Sequence, residues 1–173
     1  MRRHNYIWVR GAENHVTGVV QPNQDQYDLL ASYRTRSGVT LNIPEFTIWR
    51  IHIRISIQFG LSPATAVANS ACLLTLFVDT ADFSGLPLTL SEPYSEQYLM
   101  YDNLYVSELI MNGFNVPAAT PTIDVLAAVR NYDIKSHRRL GNLNETLWLT
   151  LTPQGNMEQL TSSITYSILL RQR

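Results

Sequence analysis

Between residues 49 and 59 the chain alternates without a break. Trp49, Ile51, Ile53, Ile55, Ile57 and Phe59 are apolar, and Arg50, His52, Arg54, Ser56 and Gln58 between them are polar. Side chains on an extended backbone point alternately to opposite faces, so this pattern predicts a long strand with one dry and one polar face. Its dry side is β-branched and aromatic, as strands favour. Weaker patterns predict more strands. Residues 6–9 and 16–20 are short candidates, and residues 71–78 form a continuous apolar run that reads as a strand buried on both faces. Residues 98–101 and 104–111 flank the turn pair Asp102-Asn103. Residues 123–130, 132–140, 146–152 and 164–171 follow. In the third of these, Leu147, Leu149 and Leu151 alternate with Thr146, Trp148 and Thr150. Gly- and Pro-containing turns punctuate the series, among them Ser84-Gly85-Leu86-Pro87, Gly141-Asn142 and Pro153-Gln154-Gly155-Asn156.

Helix signals are few. Residues 25–34 read as a short helix capped by Asn23 or Asp25, and residues 62–68 as one or two turns with Pro63 in the first position. Eight or nine strands at hairpin spacing in 173 residues predict an all-β antiparallel sandwich or jelly roll of about eight strands, with one or two short helices in loops. No boundary divides it, so residues 1–173 are expected to form a single β-sandwich domain.

Composition adds two points. Only 16% of residues are charged, against roughly 25% in an average globular protein. Uncharged polar residues take their place, as on a protein whose surface is covered by partners. The charge is also segregated. Residues 1–59 hold seven arginines against four acids, and residues 130–173 hold six basic residues against three. Residues 60–129 hold seven acids and no Lys or Arg. If the two ends meet on one side of the fold, the molecule has a positive and a negative face. Of the 13 basic residues only Lys135 is not Arg, and Arg offers a planar fork for phosphate or carboxylate.

Candidate chemistry is sparse. The single Cys72 excludes an internal disulfide and multi-cysteine zinc sites, and its apolar neighbours predict a buried small hydrophobe. No apolar run follows the basic start to make a signal peptide, and none reaches the ~20 residues of a membrane span. The expectation is a soluble protein made in a reducing compartment, with no membrane partner. His4, His15, His52 and His137 lack metal-ligand spacing, and nucleophile, Walker and dinucleotide motifs are missing. Neither cofactor, metal nor catalytic residue is expected. Val78-Asp79-Thr80 resembles the active-site turn of retropepsin-like aspartic proteases, in which two carboxylates share a proton. Ala81 stands where that family has Gly, so an enzyme is the third reading.

Two basic segments stand out: the polar face Arg50, His52 and Arg54 of the long strand, and Lys135, Arg138 and Arg139 within residues 132–140. As a β segment, the latter puts Asp133, Lys135, His137 and Arg139 on one side and Ile134, Ser136, Arg138 and Leu140 on the other.

The arginine-bearing start Met1-Arg2-Arg3 leading into Tyr6-Ile7-Trp8-Val9-Arg10, the alternating strand, the strand count and the uncharged polar loops together resemble single jelly-roll capsid proteins of small icosahedral viruses. The resemblance implies a non-enzymatic structural protein that assembles with copies of itself into a symmetric shell. It would be found in the virion, made in the host cytoplasm or nucleus and not secreted. It implies a basic arm over residues 1–10, with Arg2, Arg3, Arg10, Arg50 and Arg54 contacting packaged single-stranded nucleic acid. Genome-binding arms carry longer basic runs, so two arm arginines imply weak electrostatic contact. Subunit contacts are expected at Tyr94, Tyr98, Tyr101, Tyr105, Lys135, Arg138, Arg139 and Trp148, since aromatic residues and Arg dominate interface energetics. The second reading is a carbohydrate- or ligand-binding jelly-roll module, lectin-like or a tail or decoration protein.

Overall fold

The structure is a computed structural model that describes residues 5–18, 25–36, 46–60, 71–80, 104–111, 126–140, 145–154 and 159–172. In chain order the elements are β1 (Tyr6–Gly18), β2 (Asp25–Asp28), α1 (Ala31–Arg36), β3 (Phe46–Gly60) and β4 (Ala71–Thr80). They continue with β5 (Tyr105–Met111), β6 (Leu126–Lys135), β7 (Glu145–Gln154) and β8 (Gln159–Gln172).

The pairing follows one rule. β1 pairs with β8, β2 with β7, β3 with β6 and β4 with β5, all antiparallel, so each pair of strand numbers sums to nine. That is a long hairpin folded in half at β4–β5. Rolling it up adds the contacts β3 with β8 and β4 with β7, and gives two four-stranded sheets, β1-β8-β3-β6 and β2-β7-β4-β5. This is the eight-stranded jelly roll, and the fold class is as the sequence predicts.

Each sheet turns a dry face inward. From β3 come Ile51, Ile53, Ile55, Ile57 and Phe59, and from β8 Leu160, Ile164, Ile168 and Leu170. Across the gap stand Cys72, Leu74, Leu76 and Val78 of β4 and Leu147, Leu149 and Leu151 of β7. Burying each such side chain contributes about 1.5–3 kcal/mol. Residues 71–78 are buried on both faces, as their unbroken apolar run predicts: Leu73, Thr75 and Phe77 point away from this core and are still at most 1% exposed.

The edges of the sandwich are held by polar contacts between sheets. At one edge, Glu108 of β5 accepts hydrogen bonds from Arg130 Nε at 2.7 Å and Tyr132 Oη at 2.6 Å, both on β6. Burial pushes the Glu108 carboxyl upward, but the bonds from Tyr132 and Arg130 and the arginine's charge outweigh it, leaving the group below its usual range. At the other edge Tyr27 of β2 hydrogen-bonds Ser162 of β8 at 3.0 Å, and His15 of β1 lies 3.0 Å from Asp25 of β2. Burial, partly offset by the Ser162 bond, pushes the Tyr27 phenol up to about 12.

Several boundaries differ from expectation. The helix expected over residues 25–34 is instead strand β2 followed by α1. Asp25–Asp28 is captured by β7, pairing Tyr27 with Leu149. The turn is capped by Asp28, its Oδ1 accepting the Leu30 N–H at 3.0 Å, while Asp25 lies in β2 and Asn23 lies outside the described residues. The two short strands expected at 6–9 and 16–20 are one, because β8 offers a partner for every residue from Tyr6 to Gly18. Of the strands expected at 123–130 and 132–140, Leu126–Lys135 likewise forms one run, β6. It continues past Lys135 along a bulge in β3 at Trp49, where Ser136 N–H donates to the Trp49 carbonyl and Ile48 N–H to that of Arg138. The predicted sidedness of that segment holds, with Asp133, Lys135, His137 and Arg139 on the more open side. The expected helix at 62–68 and strand at 98–101 lie outside the described residues.

Candidate nucleic-acid interface

The outward face of the sheet β1-β8-β3-β6 is assembled in rows set by register. One row runs Trp8, Leu169, Arg50, Lys135 and the next Arg10, Ser167, His52, Asp133. The third runs Ala12, Thr165, Arg54, Asn131. Neighbouring strands lie about 4.8 Å apart, so each row is a close contact line. Three of the five arginines expected to meet nucleic acid, Arg10, Arg50 and Arg54, therefore share one face although they come from two strands 40 residues apart in the chain. Arg2 and Arg3 lie outside the described residues.

Their environments differ. Arg50 is committed to Asp133 by a bidentate pair, Nε to Oδ1 at 2.8 Å and Nη2 to Oδ2 at 2.6 Å. This bond from Arg50, more than the opposing desolvation, holds the Asp133 carboxyl below its ordinary range, and the nearby charges of Arg50, His52 and Lys135 add to it. Arg10 and Arg54 are exposed and have no acidic partner among the described residues. Arg10, His52, Arg54, Asn131, Asp133, Thr165 and Ser167 line an open groove of about 510 Å³.

Aromatic rings lie beside these cations. Trp8, 44% exposed, stacks on His52 with centroids 6.3 Å apart and planes 24° from parallel, and the Arg10 guanidinium sits 5.8 Å from its ring centre. Tyr6, 49% exposed, meets Trp49 edge-on. Trp49 also takes the guanidinium of Arg171 at 4.9 Å and the ring of His137 at 4.6 Å. In the sequence the arginines and His52 point to this face as a site; register is what brings Tyr6 and Trp8 to it. The shared parity of Tyr6, Trp8 and Arg10 is the sequence signal for that grouping.

The residues expected at subunit contacts separate. Tyr94, Tyr98 and Tyr101 lie outside the described residues. Tyr105 opens β5 opposite Phe77, and its side chain is not among those described. Lys135 and Arg139 reach the surface. Arg138 turns inward, its Nη2 3.7 Å from Glu145. Trp148 is 8% exposed in the single chain, on the outer side of β7 opposite Phe77 and Asp28.

Other candidate chemistry is weaker. Burial pushes the Cys72 thiol up to about 12, which suits an inert core residue. Asp79 sits near the end of β4 opposite Thr146, and Ala81 and Asp82 lie outside the described residues. No group of three or more His, Cys, Asp or Glu among the described residues is placed to hold a metal ion.

No protein-family model matches the chain, and neither does any curated protein. Solved structures do. Tobacco streak virus coat protein is 11% identical with a TM-score of 0.37, the match covering 96% of this chain and 85% of that one. A turnip yellow mosaic virus chain is 11% identical with a TM-score of 0.35, over 100% of this chain and 82% of the other. Cocksfoot mottle virus gives 9% identity and a TM-score of 0.34, over 96% and 81%. The fold assignment itself rests on the strand pairing.

Proposed function

We propose that the chain is a non-enzymatic capsid subunit that assembles with copies of itself into a symmetric viral shell and turns the basic face of the β1-β8-β3-β6 sheet toward packaged nucleic acid. One observation carries the reading: the strands of the β1-β8-β3-β6 sheet hold Arg10, Arg50, Arg54, Arg130, Lys135 and Arg171 against Glu13 and Asp133, while those of the other sheet hold Asp25, Asp28, Asp79, Glu108 and Glu145 and no Lys or Arg. A subunit with a polarised charge distribution suits a shell with an anionic filling, and opposed charges favour heterologous contacts that close into rings or shells. Lys135 and Arg139, both exposed, are with Tyr94, Tyr98 and Tyr101 the proposed contacts between copies. Trp148 and Arg138, less exposed in the single chain, rank after them.

Light scattering with negative-stain imaging of the purified protein tests this. Uniform particles are the expected result, and a monodisperse species near the 19.7 kDa chain mass at every concentration would overturn it. Replacing Arg2 and Arg3 with Ala should lower the nucleic acid that co-purifies, read as the ratio of absorbance at the nucleic-acid and protein maxima. An unchanged ratio removes the arm from the proposal.

A further inference from the structure

We infer that the groove beside Trp8 is a base-stacking site for single-stranded nucleic acid, in which the indole takes an unpaired base while Arg10 and Arg54 take the flanking phosphates. The inference deepens the proposed function and rests on it, since it names the form of nucleic acid and the contact that selects it.

Three observations converge. First, Trp8 is nearly half exposed beside Arg10 and His52, so part of its ring stays open to water and available to a base next to cations. Second, its neighbours Arg10 and His52 are also walls of the groove, so a base on the indole would be continuous with a sugar-phosphate lying in that groove. A volume of about 510 Å³ falls within the range of roughly 300–1,000 Å³ typical of small-ligand sites. Third, the charge is unbalanced in the direction phosphate requires. Among the described residues Arg10, Arg50, Arg54, Lys135 and Arg171 share this face with one acid, Asp133, which Arg50 already engages.

The geometry favours single strands over duplex. A four-stranded sheet that presents aromatic rings beside cations is the platform on which sheet-based RNA-binding modules stack splayed bases. In a duplex the base faces are already stacked on one another, so Trp8 would have nothing to take. A neutral sugar would use the ring and the groove's Ser167, Thr165 and Asn131 but leave Arg10 and Arg54 without counter-charges, which makes nucleic acid the better occupant.

The test is fluorescence anisotropy with a short labelled oligouridylate, on full-length subunits below the concentration at which light scattering detects association. Stacking is then read whether or not the protein forms shells. The native chain should bind, with quenching of its tryptophan emission, and Trp8→Ala should weaken binding about tenfold, the scale expected for removing one base–aromatic stack. The slope of log affinity against log salt should be unaltered by Trp8→Ala but shallower by about 0.7 for each phosphate that Arg10→Gln or Arg54→Gln no longer neutralises. An abasic strand of equal length should bind the native protein no better than oligouridylate binds Trp8→Ala. That comparison is made on the native protein, and Trp8→Phe, which keeps a ring, should retain most of the affinity. Equal binding of abasic and base-bearing strands, preference for duplex, or displacement of the strand by an uncharged oligosaccharide would each overturn the assignment.

Discussion

Gly11 faces Tyr166 across the β1–β8 pair, and a Cβ built on it would lie 2.2 Å from the phenol oxygen and 2.3 Å from the ring carbon bearing it. Tyr166 is 6% exposed and packed in the core, so its ring has little room to retreat. Gly11→Ala should therefore destabilise the protein by about 1–3 kcal/mol through overpacking. Most of that effect should vanish in a Tyr166→Leu background, a coupling measured by denaturant unfolding of the two single variants and the double. Cys72, fully buried with its thiol pushed up to about 12 by burial, should resist a thiol reagent at neutral pH until the protein is unfolded. That buried state is legible from the apolar residues around it in the chain. Trp148 is not: its alternation with Leu147 and Leu149 says that it faces away from the core, and in most sheets that face is wet. Here the outer side of β7 is buried as well, a property of what covers the sheet that local pattern does not encode.

Strand β3 is plain in the sequence because its two faces meet different environments, and period two is the mark of that difference. β1 reads in pieces because Arg10-Gly11-Ala12-Glu13-Asn14 has weak strand propensity, and only the pairing with β8 holds it extended. Residues 25–28 look helical because their preference is local while their partner, β7, is more than 100 residues away. The contact between β5 and β6 is invisible for another reason, that it joins the edge strands of two different sheets, and it has a consequence in pH. Glu108 is held below its ordinary value of 4.5, so its folded form gives up its proton more readily than its unfolded form. Its contribution to stability is complete above the unfolded value and is lost as pH falls through the lower folded value. The native protein should unfold at a higher temperature than Glu108→Gln at neutral pH, and the gap should close as pH is lowered from about 6 to about 3. A gap that stays constant would show that Glu108 acts through shape alone.

Across the whole molecule, the segregation of charge along the chain is legible, and so is the prospect that its basic ends meet. Which sheet they form is not, because that depends on how a long hairpin rolls. The same topology has a temporal consequence. β8 lies between β1 and β3 in its sheet, yet it is the last of the eight strands to be synthesised. Until it emerges from the ribosome, β1 has no strand partner in its sheet and β3 has only β6. The inner faces of both then lack Leu160, Ile164, Ile168 and Leu170 of β8 beside them. Closure of this sheet thus waits for β8 and proceeds through pairings such as Tyr6 with Arg171, the kind of distant contact that makes all-β sandwiches fold on the order of milliseconds to seconds. Nascent chains halted before residue 159 should be cleaved readily by protease, and chains with residue 172 clear of the ribosome should become resistant in one step. If copies pair as proposed, they do so only as chains whose eighth strand is already in place.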